Sequence, residues 1–349
     1  MTERKINQCT VILTRNCNLR CNFCYAKDAG YCVSESISFE NLKKIVDFCC
    51  VAKVKYIFFT GGEPLLYPYL EDILKYIKAQ KHQLITAVAS NGILLEDIEF
   101  CKNLKQSGLD YIDVSMKGSN PKEWVAITGV DGYDKQNIGI SNLSSIEMDF
   151  TTSMVITIDN VYSVCDSVKK ALANGAKQFS FTFVIDNNHD KESKVPYLEQ
   201  NSPFQLIEAF ITQIGQLNEI TEEWWIEYSF PICVYTDEQL ELLKGKLASP
   251  CQIHKKNALT FDTKLNLLPC DMYFDFPIGK LGEDFCTIEE LEKLQAAEPY
   301  KDTIERISRY PSDKCTTCEH LERCYGGCPV LWRNYSFQEL MELKEITYK

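Results

Sequence analysis

Residues 9–26 read CTVILTRNCNLRCNFCYA. The stretch TVILT is a run of β-branched and aliphatic residues, the composition of a buried strand. It gives way to a polar loop carrying Cys17, Cys21 and Cys24, with three and then two residues between them. Barrel-type βα folds build their sites on loops at the C-terminal ends of strands, because side chains and backbone groups from several such loops converge there. Three thiolates on one short loop can wrap one metal cluster, and on a four-iron cube they leave one iron open to an outside ligand. A zinc loop, or three buried thiols, is the plainer alternative.

Working outward, short apolar runs alternate with amphipathic helical stretches up to about residue 185. Strands are expected at 9–14, 56–60, 84–90, 111–116, 150–157 and 178–185. Between them lie helical stretches such as NLKKIVDFCC (41–50) and YLEDILKYIKAQ (69–80), the latter with Pro68 expected at its first helical position. Six βα units without a seventh or eighth place the chain in the α/β class, as a partial (β/α)6 TIM-like barrel over 1–185. A bridging segment follows over 186–249, with a loop at NNHDKESK (187–194) and a long amphipathic helix at SPFQLIEAFITQIGQLNEI (202–220). The remainder, 250–349, begins at Pro250 and is cysteine-rich and broken by turns, with a single clear helix opening at a capping box from Thr287 to Glu290. Its few apolar residues suggest a small domain built around metal.

A length of 349 residues suits a main domain plus an appendage. The formal net charge of -12 argues against general affinity for nucleic acid or an anionic membrane surface. The N-terminus lacks a secretory core and no apolar run is long enough to span a bilayer, so a reducing cytoplasm is expected. Seventeen cysteines are then metal ligands or core residues, not a disulfide framework. Those outside the clustered motifs, including Cys9, Cys32, Cys49, Cys50, Cys101, Cys165, Cys233 and Cys286, are read as small core hydrophobes.

The loop resembles the radical S-adenosylmethionine (SAM) superfamily, whose fingerprint is CxxxCxΦC with an aromatic at Φ, here Phe23. The resemblance implies a 4Fe-4S cluster on Cys17, Cys21 and Cys24 whose open iron is chelated by SAM. It also implies an electron donor such as flavodoxin or ferredoxin, and reductive cleavage to methionine and a 5'-deoxyadenosyl radical. FFTGGEPLL (58–66) is similar to the family's GGEP motif through Gly61, Gly62, Glu63 and Pro64, whose exposed strand edge accepts bonds from the SAM ammonium. ASNGILL (89–95) resembles a polar-Asn-Gly element that sets Ser90 and Asn91 near the cofactor. At SMKG (115–118) many members carry an acidic residue where this chain has Lys117, so Ser115 and Lys117 are candidate cofactor contacts or ordinary polar residues of the barrel rim.

Past the bridge come Cys251 and Cys270, then Cys315, Cys318, Cys324 and Cys328 within KCTTCEHLERCYGGCP. This pattern resembles the SPASM extension of radical SAM enzymes, which carries one or two auxiliary 4Fe-4S clusters. The resemblance implies an inner cluster on Cys251, Cys270 and Cys328 and an outer one on Cys315, Cys318 and Cys324. Each is one thiolate short, since no cysteine lies between Cys251 and Cys270 and none follows Cys328. The missing ligand is an oxygen or nitrogen group, a bound substrate, or nothing. A twitch-like layout, with one cluster on Cys251, Cys270, Cys315 and Cys318, competes, as does zinc in the quartet.

LLPCDMY (267–273) resembles the PCD element of anaerobic sulfatase maturases, which makes Asp271 a candidate base; a solvated or merely hydrogen-bonding aspartate is the alternative. SPASM proteins so often modify peptides that oxidation or crosslinking of a peptide or protein side chain is favoured over a small-molecule substrate. The alternatives are a twitch-type small-molecule dehydrogenase or biosynthetic enzyme and, in another class, an iron-sulfur electron carrier or zinc scaffold. No leader-binding domain is expected ahead of the first strand.

Overall fold

The structure is a computed structural model that describes residues 6–27, 34–185, 202–227, 230–248, 251–274 and 276–348. The expected loop at 187–194, Cys32 and Pro250 lie outside the described residues.

Six strands follow the expected runs within one or two residues at most ends: β1 (Gln8–Thr14), β2 (Tyr56–Gly61), β3 (Ile85–Ser90), β4 (Tyr111–Met116), β5 (Asp149–Ile156) and β6 (Phe179–Phe183). They pair in that order and all in parallel. The sheet does not stop there. A short β7 (Trp224–Ile226) adds in parallel to β6, and β8 (Ala258–Phe261) adds in parallel to β1. Beyond β8, β9 (Asn266–Leu268) and β10 (Gly279–Lys280) run antiparallel, giving ten strands in the order β10-β9-β8-β1-β2-β3-β4-β5-β6-β7. The four added strands are too short to show a period of their own, and pairing with their neighbours makes them strands. The cysteine-rich segment therefore continues the barrel's sheet from the β1 edge.

Among the helices, Leu70–Lys78 starts later than expected: Tyr69 is its N-cap and Pro68 lies outside it. The bridging helix runs Pro203–Ile220, where the long amphipathic helix was expected, and has Pro203 in its first turn. The capping box at Thr287 and Glu290 opens Ile288–Ala296. Two longer helices follow that were not expected, Glu298–Ile307 and Phe337–Thr347, the second with its own capping box at Ser336 and Glu339.

Alternation along the strands separates core from site. In β4, Ile112, Val114 and Met116 are buried with the helices, while Asp113, Ser115 and the following Lys117 lie on the other face. Behind β6, the rings of Phe181 and Phe183 meet Phe210 of Pro203–Ile220 edge-on at 5.3 and 5.6 Å. Packed barrels fill their interior with Val, Ile and Leu; Thr60, Ala89, Ser115 and Thr182 face this one and leave it hollow.

Asp113 is a cost of that polar interior. Burial pushes its carboxyl up to about 6, against a hydrogen bond from Ser153, and its Oδ1 is buried without a partner. The fold therefore favours the protonated form. Its contribution to stability is present below the unfolded value near 3.8 and is lost as pH rises through about 6. Asp113→Asn is expected to stabilise the chain at pH 7.5 by on the order of 2 kcal/mol and to change little at pH 4. Thermal melts at the two pH values check this; an equal effect at both would contradict it.

Candidate functional site

At the mouth of the barrel, β1 and β2 are staggered by one residue: Ile12 faces Thr60 but Thr14 faces Gly61, so Leu13 is extra. Such a bulge turns a strand end, and here it directs the chain into the cysteine loop. The loop is stitched down on its far side. Arg20 N and Asn22 N donate to Thr128 O and Ile127 O, each at 2.9 Å. Arg20 Nη1 donates to the carbonyls of Cys17 and Leu19 at 2.7 and 2.6 Å. Leu19 is buried in a small core with Ile93, Trp124 and Tyr133. The three cysteines thus stand on a packed platform.

The two motif glycines bring the end of β2 against this loop. Gly62 N donates to Thr14 O at 2.7 Å and Glu63 N to Asn16 O at 2.8 Å. A Cβ on Gly62 would lie 2.3 Å from Asn16 O, and one on Gly61 2.3 Å from Thr14 O, so only glycine permits the approach. Glu63 is wholly engaged: Oε1 accepts from Leu65 N at 3.0 Å and Ser90 Oγ at 2.9 Å, and Oε2 from Asn91 N at 2.8 Å. Burial raises its carboxyl above the usual range, and these donors pull the other way. Asn91 is likewise committed, donating to Asn18 Oδ1 at 2.7 Å and accepting from Ile93 N at 3.0 Å. Glu63, Ser90 and Asn91 therefore brace the loops around the cavity, which leaves backbone groups there to meet a ligand.

Cys17, Cys21, Phe23, Cys24, Gly61, Gly62, Glu63, Ser90, Asn91, Ser115 and Lys117 all line one cavity of about 1220 Å³, counting its open mouth. Pro64, buried at the start of a short turn, does not line it. Lys117 Nζ donates to Ser115 Oγ at 2.6 Å and lies 5.4 Å from the Phe23 ring centre. Burial raises the Cys17 thiol to about 11 and also raises Cys21, which Lys117 partly offsets. Metal binding must therefore displace their protons.

The opposite wall comes from the C-terminal segment, with Met272 and Cys328 lining the same cavity. Cys251, Cys270 and Cys328 share a second cavity with Asp271. Cys315, Cys318 and Cys324 line a third, so the twitch-like set of Cys251, Cys270, Cys315 and Cys318 is not brought together. Among the described residues no group of three or more His, Cys, Asp or Glu side chains closes up as a site for a metal ion does. A tetrahedral zinc about 2.3 Å from each sulfur would hold its thiolates within about 4 Å of one another, whereas a cube spreads them over its corners. Thiols ringing a cavity suit the cube.

Asp271 joins the two halves. Tyr25, next to Cys24, donates from its hydroxyl to Asp271 Oδ2 at 3.0 Å. Burial raises the Asp271 carboxyl, and the Tyr25 bond lowers it. Tyr25 escaped the sequence reading, and only its place after the last loop cysteine marked it. Of the cysteines read as core, Cys9, Cys49, Cys101 and Cys165 are buried and Cys50 partly so. Cys233 and Cys286 are exposed, because each sits in a turn and not on a buried face.

A parallel βα barrel whose first loop presents three thiols to an open interior defines a cluster-dependent barrel enzyme. A model of the radical SAM superfamily matches residues 11–189, and the chain belongs to that superfamily. It is a radical SAM enzyme, using a 4Fe-4S cluster and SAM. Among curated relatives, a GTP 3',8-cyclase of Campylobacter jejuni is 28% identical over 310 residues, 86% of this chain and 92% of the relative. A probable GTP 3',8-cyclase of Methanococcus vannielii is 32% identical over 172 residues, 48% of this chain and 56% of the relative. Among solved structures, anSMEcpe with bound AdoMet aligns over 97% of this chain and 96% of its own, with a TM-score of 0.69 and 18% identity. Streptococcus suis SuiB bound to the precursor peptide SuiA aligns over 96% of this chain and 74% of its own, with a TM-score of 0.70 and 17% identity. Among the described residues no helix is long and apolar enough to cross a membrane.

Proposed function

We propose that the chain oxidises a side chain of a peptide or protein, with Asp271 as the base. The observation that carries this reading is the seating of Asp271, buried beside Cys270 and bonded to Tyr25 of the cluster loop. Cys17, Cys21 and Cys24 would hold the SAM-binding cube; Cys251, Cys270 and Cys328 an inner auxiliary cluster; and Cys315, Cys318 and Cys324 an outer one. When bound, SAM and its cluster would supply a carbon radical able to take a hydrogen atom from an unactivated C–H bond, and the inner auxiliary cluster would accept the second electron of the oxidation. This chain's residues would then do the positioning. The apolar wall of Val155, Phe183, Val184 and Met272 excludes water, and the Asp271 carboxylate takes the proton released by the oxidised hydroxyl or thiol. A precursor would be recognised by the bridging segment, the C-terminal segment or a separate protein. Structural likeness to two proteins solved with peptides, anSMEcpe with Cp18Cys and SuiB with SuiA, supports the reading.

The GTP 3',8-cyclase relatives favour a second reading, a nucleotide substrate. Lys117 is the single cation among the described residues lining the main cavity, and a polyanion desolvated there needs several. Anaerobic assays with reduced protein decide between them. Peptides bearing serine or cysteine are expected to stimulate 5'-deoxyadenosine formation, with a loss of about two mass units at serine and about eighteen at cysteine once the thioaldehyde has exchanged its sulfur for water; stimulation by GTP and by none of the peptides would overturn the proposal.

A further inference from the structure

Cys315, Cys318 and Cys324 are three thiols for the outer set, and residues 329–349 add no further cysteine. Space supplies one from the other direction. Cys233 lines the same cavity as Cys315, Cys318 and Cys324. It sits in the short turn Ile232–Val234, 82 positions before Cys315 opens the quartet, and two contacts hold that turn against the quartet loop. Ile232 N donates to Cys324 Sγ at 3.3 Å, with |i−j| of 92. Gly327, at φ +78°, approaches so closely that a Cβ would lie 2.7 Å from Pro231 N. A third contact ties the turn to the helix after the quartet: Lys344 Nζ donates to Cys233 O at 2.8 Å and Tyr235 O at 2.7 Å.

We infer that Cys233 supplies the fourth thiolate of the outer auxiliary site, which with Cys315, Cys318 and Cys324 holds a 4Fe-4S cube with no open iron. Four thiolates are the ordinary complement of such a cube. A closed cube cannot bind substrate, so this site serves electron transfer or structure. His320 lines the same cavity and is the rival ligand. Imidazole replaces thiolate in few cluster types, and Ile232 N already fixes the Cys233 turn on Cys324.

The inference concerns metal alone, so it stands or falls apart from the choice of substrate. Iron and sulfide are counted on the anaerobically reconstituted chain after a chelator challenge, with electron paramagnetic resonance of the reduced and oxidised states. The wild type is expected to keep about twelve irons, four per cube. Cys233→Ser should match Cys324→Ser, falling to about eight or giving a three-iron signal in place of one cube. His320→Ala, and Cys286→Ser at the other exposed cysteine, should keep the wild-type count. A circular dichroism spectrum of Cys233→Ser that matches the wild type would show that the chain is folded. The inference is overturned if Cys233→Ser keeps every iron and the wild-type spectrum while Cys324→Ser does not. It is equally overturned if His320→Ala is the variant that loses the cube, or if these thiols retain zinc in place of iron.

Discussion

Cys24→Ala is expected to abolish SAM cleavage, with loss of about four irons per chain. Cys24 is the last ligand of the motif, and the described residues of its loop offer no further thiol beyond Cys17 and Cys21. Its amide already donates to Cys21 O at 3.2 Å, and the next residue, Tyr25, is held by Asp271. Two thiolates at positions 17 and 21 cannot keep a cube whose fourth corner is to be left to SAM. The loop itself should stay in place, because Leu19, Arg20 and Asn22 anchor it to the end of the helix Pro121–Thr128 without help from Cys24. Iron counting together with chromatographic detection of 5'-deoxyadenosine tests this. A variant that still cleaved SAM at the wild-type rate would remove the mechanism proposed above.

Asp271→Asn is expected to lower product formation by about 10²–10⁴, the usual worth of a positioned base, while SAM cleavage stays within a few-fold. Asparagine keeps the size of the side chain and still accepts from the Tyr25 hydroxyl, but it takes no proton. The uncoupling separates a base from a structural aspartate, which would tolerate the exchange. Since burial lifts the Asp271 carboxyl, the acid limb of product formation should lie above the ordinary carboxylate range. Tyr25→Phe removes a bond that favours the charged form, so it should shift that limb to still higher pH. A limb unmoved by Tyr25→Phe would count against Asp271 as the titrating group.

Much of the site was legible because its parts are local. The spacing of Cys17, Cys21 and Cys24, the glycines at 61 and 62, and the period-2 alternation of β4 are written within a few residues of each other, and the structure sets them around one cavity. The helix at Phe337–Thr347 was also within reach, since Ser336 and Glu339 spell a capping box. The bracing role of Glu63 was not: its carboxylate binds Ser90 and Asn91, 27 and 28 positions away.

By itself the sequence determined the class of barrel, the place of the cysteine loop and the identity of its three thiols, because strand periodicity and short-range ligand spacing act over a single turn of chain. Tertiary structure decided the rest. It extended the sheet through strands of two to four residues that exist only when paired, set Asp271 against Tyr25 across |i−j| of 246, and carried Cys233 to the outer quartet. These are contacts between distant segments, made by packing and close backbone approach, and no local pattern encodes them.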